Sequence, residues 1–463
     1  MSDSYNFGDG SSLARPWKFP EIRLPTRGKM VGLARILRWR PPGFAALRRP
    51  DAENGHSGAR AVERVLSMSR RLVSDAGAIG ASRLAEEILQ SYKTLSAADR
   101  QAFFSALVRE FSPNPDDVGR AADAYRADPS PGNLRHLQMI VEPPRQELFR
   151  RLNMAGDGTR ELIDIRRQVL SDMSSDPALE PIAADLGQLL ASWFNSGFLT
   201  LEKIDWHSPA VVLEKLIAYE AVHQIQGWED LRRRLEADRR CYAFFHSAMP
   251  GEPLIFIEVA LTKGMSDRIH PLIDPRAPVG DPEIADHAIF YSITNCQKGL
   301  RGVPFGSSLI KQVVEDLKAS LPRIRNYATL SPVPGFRKWL FQQPGQENLE
   351  SFLKAPEAAD DSRWPEELRQ QLLSMCAAYL LNAKRDQEPL DSVARFHLKN
   401  GARLERINFM GDSSARGMEQ SAGLMANYVY ELDDLQKNHE LYTKAGEIAS
   451  ARRVERLSRQ ARR

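Results

Sequence analysis

A glycine-rich turn at residues 297–306 is the segment of this sequence best suited to hold an anion. Gly299, Gly302 and Gly306 stand between an apolar, strand-like segment and an amphipathic segment that extends to residue 322. Glycine lets the backbone approach a phosphate closely, and N–H groups at the start of a helix attract negative charge. The turn lacks the GK[ST] ending of a Walker A loop and the spacing of GxGxxG. Because about half of such turns are structural, the pattern alone is weak.

Two further segments carry residues that can move protons. Ser331 lies in SPVPGF, where proline and glycine hold the backbone and limit the freedom of the hydroxyl. His397 lies in RFHLKNGA, where Asn400 and Gly401 mark a turn or the end of a helix. Taken singly, each is more often a structural hydrogen-bonding residue than a catalyst.

Metal chemistry has no support in the sequence. The nine histidines form no HExxH and no pair on one helical face. Cys241, Cys296 and Cys376 are far apart and include no CxxC, which fits a reducing compartment. We therefore expect no metal.

The elements that must position these residues change in character near residue 200. From 57 to 190 the apolar periodicity is helical, with helices predicted at 59–73, 96–111, 131–153, 159–173 and 178–195. Strand signals are almost absent there, so we predict an all-α domain whose role is packing or subunit assembly. Beyond it, helices at 208–223 and 228–238 precede strands at 241–249, 254–264, 288–297 and 426–432.

This order predicts an α+β fold with an all-α domain at 57–190 and a mixed α/β domain at 191–463. Three strand candidates followed by the glycine-rich turn and a helix resemble the pyrophosphate-binding arm of the GNAT acyl-CoA fold. One departure is Pro304, which has no N–H and removes one phosphate donor.

Composition is that of an ordinary globular protein. The 463 residues are 42% hydrophobic and 27% charged, with a formal net charge of +3, which favours neither nucleic acid nor membrane as a partner. No apolar run approaches the roughly 18 residues that cross a bilayer. Residues 1–56 are rich in Lys, Arg and Pro, and are expected to be a basic, mobile arm in preference to an organellar transit segment. The expected location is the cytoplasm.

Several motifs in the same order resemble the malonyl-CoA decarboxylase family. They are YEAVHQIQGWEDLRRRL, RRCYAFFHSAMPGEPLIFIEVALT, QKGLRGVPFG, SPVPGF, FHLKNGA and GLMANYVY, spread over most of 155–450. The resemblance implies a helical domain followed by a GNAT-like catalytic domain, homo-oligomers, and malonyl-CoA as substrate. It implies that Ser331 is the proton acceptor and His397 the proton donor. The malonyl-CoA-binding stretch would then comprise Arg301, Gly302, Val303, Pro304, Phe305, Gly306 and Ser307.

The implied reaction is loss of carbon dioxide from malonyl-CoA, which leaves an enolate whose charge lies on the thioester oxygen. Donors aimed at that oxygen lower the barrier. Because the substrate itself accepts the electrons, the implied reaction needs no metal and no organic cofactor. We expect His397, as a cation or as an N–H donor, to polarise the thioester and supply a proton, and Ser331 to orient the carboxylate. Two alternatives stay open on the same fold: a GNAT-type acyltransferase that needs an amine acceptor, and a non-enzymatic acyl-CoA sensor.

Overall fold

The structure is a computed structural model that describes residues 52–74, 80–303 and 309–461. Most of the predicted basic arm lies outside the described residues, and so do Pro304, Phe305, Gly306 and Ser307. The first helix begins at Ala52, five residues before the predicted start of the helical domain. The described residues from Gly55 onward belong to one compact unit. The boundary at 190 stays a prediction.

The first part of the described chain is helical up to Phe198. Its helices are α1 (Ala52–Ser74), α2 (Ala81–Lys93), α3 (Ala97–Glu110), α4 (Pro115–Ala127), α5 (Pro131–Val141), α6 (Pro144–Leu152), α7 (Gly158–Asp172) and α8 (Glu180–Trp193), with 3₁₀ turns at Pro177–Leu179 and Ser196–Phe198.

Local signals account for most of these helix boundaries. Ser96 caps α3 by accepting a hydrogen bond from the Asp99 N–H at 3.2 Å. The predicted helix at 131–153 is wrong in one respect, because the chain breaks it into α5 and α6 at Pro143 and Pro144. A proline inside a helix removes a hydrogen bond and clashes with the preceding turn, whereas proline at the first position is tolerated.

The second part combines a sheet with further helices. The strands are β1 (Leu199–Ile204), β2 (Arg239–His246), β3 (Ile255–Thr262), β4 (His287–Asn295), β5 (Asn326–Thr329), β6 (Ser331–Pro332), β7 (Lys384–Arg385), β8 (Glu388–Pro389), β9 (Arg403–Asn408) and β10 (Met425–Val429). The helices are α9 (Ala210–Tyr219), α10 (Trp228–Arg234), α11 (His270–Ile273), α12 (Leu309–Ser320), α13 (Phe336–Leu340), α14 (Glu347–Lys354), α15 (Glu366–Asn382), α16 (Ser392–Lys399), α17 (Ala415–Ser421), α18 (Leu435–Ala445) and α19 (Arg452–Gln460). Short 3₁₀ turns lie at Pro282–Ile284, Lys298–Leu300, Pro356–Ala359 and Asp361–Arg363.

Eight of the strands form one mixed sheet in the order β1-β2-β3-β4-β5-β10-β6, with β9 also paired to β10. The first four are antiparallel neighbours, β4 and β5 run parallel, and β10 is antiparallel to its partners. The strands predicted at 241–249, 254–264, 288–297 and 426–432 are present as β2, β3, β4 and β10. β1 and β9 were not predicted, because each is short and at least half of its residues are polar, which gives a weak strand signal.

The parallel pair opens partway along its length. β4 pairs with β5 only from His287 to Phe290, and its remaining residues up to Asn295 pair with β3 alone. A β-bulge lies at this point. Glu258 pairs with Ser292 and Val259 pairs with Phe290, which leaves Tyr291 as the extra residue of β4. β4 and β6 therefore diverge where β6 begins.

The two faces of the sheet are covered by different helices. One face packs with α9, α10 and α11 through two small apolar clusters. The other face contributes Tyr242, Phe290, Tyr428 and Tyr430 to a large core that also takes in α12, α15, α16 and the helices of the first part. The predicted order, an all-helical region followed by a mixed α/β region, is confirmed. Within the described residues, no helix has both the length and the apolar character needed to cross a bilayer.

Candidate active site

Ser331 begins β6, beside the point where β4 and β6 diverge. It pairs with Ala426 of β10, which places its side chain on the face of the sheet that belongs to the large core. The side chain is buried, and its Oγ lies 3.0 Å from His397 Nε2 and 2.9 Å from Thr329 Oγ1. The proline-pinned turn after it is further fixed by Ser421, whose hydroxyl accepts the Val333 N–H at 3.1 Å.

His397 lies in the last turn of α16 and points into the core. Asp391 caps this helix by accepting the Ala394 N–H at 2.7 Å, which fixes where the helix begins. The imidazole stacks on the ring of Tyr428, with 4.6 Å between ring centroids, and its Nδ1 lies 2.7 Å from the hydroxyl of Tyr430. Residues 66 positions apart in sequence are thus brought into direct contact.

The hydrogen bonds assign the tautomer of His397. The Ser331 hydroxyl donates to Thr329 Oγ1, so towards His397 it can act only as an acceptor. Nε2 therefore carries the proton, and Nδ1 accepts from the Tyr430 hydroxyl. Burial raises the pKa of Tyr430 well above its usual value, so this phenol stays protonated and remains a donor.

Burial also lowers the pKa of His397 to about 3, because the apolar surroundings disfavour the imidazolium. The ring is therefore neutral near pH 7. Of the two forms expected from the sequence, a cation or an N–H donor, the structure favours the neutral donor.

The predicted phosphate-binding turn is described only up to Val303. Its first residues form the 3₁₀ turn Lys298–Leu300, after which Arg301 and Gly302 are exposed and Val303 is buried. Gly302 has φ +79°, a left-handed conformation that favours glycine. Among the described residues, no hydrogen bond joins this turn to Ser331 or His397. The structure thus brings the serine and histidine together and leaves the turn as a separate part of the site.

A cleft of about 270 Å³ lies at the divergence of β4 and β6. Ile293, Thr294 and Asn295 line one side, and Pro332 and Pro334 line the other. Along the chain, Pro332 follows Ser331 directly, and Asn295 lies two residues before the predicted phosphate-binding turn. The cleft is therefore lined by sequence neighbours of both parts of the predicted site.

Tyr430, Tyr428 and Thr329 surround the serine–histidine pair but were not predicted as site residues. The sequence indicated only a packed strand at 426–432. The alternation of Tyr428 and Tyr430 places both rings on one strand face, and this was the available signal. Among the described residues, no three His, Cys, Asp or Glu side chains are grouped as metal ligands, and the three cysteines are unpaired.

Comparisons with known proteins agree over most of the chain. The model of the malonyl-CoA decarboxylase C-terminal domain matches residues 197–463, and that of the N-terminal domain matches residues 111–194. A mitochondrial malonyl-CoA decarboxylase from Anser anser anser is 34% identical over 448 residues, which cover 86% of this chain and 88% of the relative. The mouse (Mus musculus) protein of the same description is 35% identical and covers 69% of this chain and 72% of its own length.

Solved structures are similar as well. The crystal structure of malonyl-CoA decarboxylase from Rhodopseudomonas palustris is 44% identical, with a TM-score of 0.81 over 85% of this chain and 99% of that one. That from Agrobacterium vitis is 43% identical, with a TM-score of 0.78 over the same shares. This chain therefore belongs to the malonyl-CoA decarboxylase family.

Proposed function

We propose that this protein converts malonyl-CoA to acetyl-CoA and carbon dioxide, with Ser331 and His397 as its catalytic residues. The observation that carries the proposal is the buried hydrogen bond of 3.0 Å between Ser331 Oγ and His397 Nε2, in a chain of this family. The two side chains come from segments that the sequence singled out independently of one another.

The reaction breaks the bond between Cα and the carboxylate carbon. The electron pair stays with the thioester as an enolate, carbon dioxide leaves, and a proton taken up from solvent ends on Cα. Because negative charge develops on the thioester oxygen, an N–H donor near it stabilises the transition state. His397 Nε2–H, kept neutral by burial, supplies this donor without a counter-ion. Ser331 orients the malonyl carboxylate. After carbon dioxide has left, Ser331 gives its hydroxyl proton to Cα and takes up a replacement from solvent, so His397 keeps its Nε2 proton throughout.

The coenzyme A part of the substrate is proposed to lie along the opening between β4 and β6. The turn that includes Arg301, Gly302 and Val303 is the proposed site of the coenzyme A diphosphate, together with residues 304–307. From there the pantetheine arm enters the cleft between β4 and β6, where the strand edge of β4 has lost its β5 partner. Its amide groups can bond to that edge as a strand would. This path ends beside Ser331.

We further propose that the enzyme uses neither a metal nor an organic cofactor, because the thioester itself accepts the electrons. It is proposed to be a homo-oligomer assembled through its helical region and to act in the cytoplasm. The location is supported by the bacterial origin of the similar solved structures, although the curated relatives are described as mitochondrial.

The test is incubation of purified, EDTA-treated protein with malonyl-CoA in the absence of any amine, with acetyl-CoA followed by chromatography. Wild type and Ser320→Ala, which removes an exposed serine hydroxyl on α12, should both form acetyl-CoA. Ser331→Ala should slow its formation by at least about 100-fold. Intact malonyl-CoA with the wild type would overturn the proposal and direct attention to amine acceptors or to acyl-CoA binding alone.

A further inference from the structure

The proposed phosphate-binding turn rests directly on a helix of the first part of the chain. A Cβ added to Gly299 would lie 2.0 Å from the carbonyl oxygen of Ile163 in α7, so only glycine permits this approach. Leu300 and Val303, on either side of the exposed residues, are buried in the large core. The turn is therefore held on its inner side by α7.

Arg166 of α7 makes the polar part of this contact. Its Nη1 donates to the carbonyl oxygen of Gly299 and to that of Arg301, the latter at 2.9 Å. Its Nε donates to the carbonyl oxygen of Ala183 in α8 at 3.1 Å. One guanidinium thus fixes two carbonyl groups of the turn to two helices.

Fixing the Arg301 carbonyl also directs the next N–H group. In a trans peptide the C=O and the following N–H point in opposite directions. Since the Arg301 carbonyl points inward to Arg166, the Gly302 N–H points outward, and Gly302 has no hydrogen-bond partner among the described residues. This N–H is available to an anion on the outer surface of the turn.

The charge of Arg166 is unusual among the buried arginines that the structure describes. The others each form an ion pair with a carboxylate, namely Arg145 with Asp185, Arg233 with Asp238, Arg234 with Glu258 and Arg239 with Asp238. Arg166 has no such partner in the described part of the chain. A buried cation without a counter-charge is costly, so an anion that binds close to it is stabilised by the attraction between the two charges.

We propose that Arg166 is a positioning residue for the phosphates of the substrate: it orients the backbone of the turn towards the coenzyme A diphosphate and provides the charge that this diphosphate balances. This inference rests on the proposed function. It gives the helical region a part in substrate binding in addition to its proposed role in assembly. Lys298 and Arg301, exposed on the turn, contribute charge on the outer side.

Malonyl-pantetheine, which lacks the nucleotide and its phosphates, tests this directly. Arg166→Gln should raise KM for malonyl-CoA about 10-fold, with kcat within about threefold, and leave both constants for malonyl-pantetheine unchanged. Arg167→Gln is the matched control, because Arg167 is the next residue of α7, is exposed and pairs with Asp164. It should behave as wild type with both substrates.

Arg166→Lys keeps the charge but not the geometry of the hydrogen bonds, and it decides the matter if the Gln variant does not fold. It should raise KM for malonyl-CoA by about threefold and leave malonyl-pantetheine unaffected. Equal losses with both substrates, or a fall in kcat alone, would mean that Arg166 only supports the fold and would overturn the inference. Binding of coenzyme A itself, measured by calorimetry on the same variants, separates this outcome from a failure of the proposed reaction.

Discussion

Two buried polar clusters lie on opposite faces of the same sheet, and they differ in charge. The serine–histidine cluster consists of Thr329, Ser331, His397 and Tyr430, and every member is uncharged near neutral pH. The charged cluster consists of Glu220, Arg234, Glu258 and Ser292, on the face covered by α9 and α10. Arg234 Nη1 donates to Glu258 Oε2 at 2.8 Å, and Glu220 accepts from the Ser292 hydroxyl at 2.8 Å.

Burial has different consequences in the two clusters. In the charged cluster, burial opposes the charge of Arg234, yet Glu258 and its other neighbours keep the pKa of this guanidinium above its ordinary value. Such a pair is rigid, and it costs much to break. In the serine–histidine cluster the same burial removes charge and leaves hydrogen bonds whose protons can move. We therefore expect changes in the charged cluster to affect stability and changes in the serine–histidine cluster to affect turnover.

The largest effect is expected from His397→Asn. Loss of the Nε2 donor should lower kcat by about 10²–10⁴-fold, in the range of a positioned proton-transfer group. The free energy of unfolding, from urea titration, should change by less than about 1 kcal/mol. His207→Asn, at a side chain that is 96% exposed, is the control. Turnover at the wild-type rate would remove His397 from the mechanism.

Arg234→Met should have the converse effect. It leaves Glu258 and Asp230 without their cation inside the protein, so the free energy of unfolding should fall by about 3–5 kcal/mol. Urea unfolding monitored by circular dichroism measures this loss. Arg232→Met, at an exposed arginine of the same helix, should cost less than about 1 kcal/mol. If Arg234→Met unfolded like the control, the charged cluster would not be the stabilising one.

Asp391 links stability to the serine–histidine cluster, because it is a buried carboxyl that caps the helix carrying His397. Burial raises its pKa to about 7, although the hydrogen bonds that it accepts from backbone N–H groups act to lower the pKa. Between its unfolded pKa of about 4 and this value, the folded protein binds the proton more tightly than the unfolded chain does. Stability should therefore decrease as pH rises through this window, by on the order of 2 kcal/mol between pH 5 and pH 8.

Asp391→Asn keeps an oxygen for the cap and cannot titrate, so it should lose this part of the pH dependence. The measurement is urea unfolding at several pH values, as the difference between wild type and variant. Parallel curves for the two proteins would show that Asp391 is ionised in the fold at all these pH values.

The sequence predicted features that depend on residues close together along the chain, and it missed contacts between residues far apart along the chain. The helix periodicity and the glycine-rich turn after β4 are local patterns, and both were predicted. Ser331 and His397 were identified from short motifs and are in contact, whereas Tyr430 and Thr329 were not predicted because strand pairing brings them together. The contact of Arg166 with Gly299 joins residues 133 positions apart, and no local pattern indicates it. Pro143 was a local signal for the break between α5 and α6, but the helical periodicity of the segments on both sides obscured it.

The smallest effect is expected from Tyr430→Phe. The phenol donates to His397 Nδ1 and so keeps the proton on Nε2, where the substrate needs it. Without it, the neutral ring can adopt either tautomer, and kcat should fall about 10-fold, less than for loss of the ring itself. The kcat should also stay flat between pH 6 and pH 8 in both proteins, because the pKa of His397 is about 3. Tyr442→Phe is the matched control, since it removes a buried tyrosine hydroxyl that has no partner among the described residues. An inflection near pH 6.5 in the wild type would mean that His397 is charged when it acts, and the contrast between a neutral and a charged cluster would then fail at its most important residue.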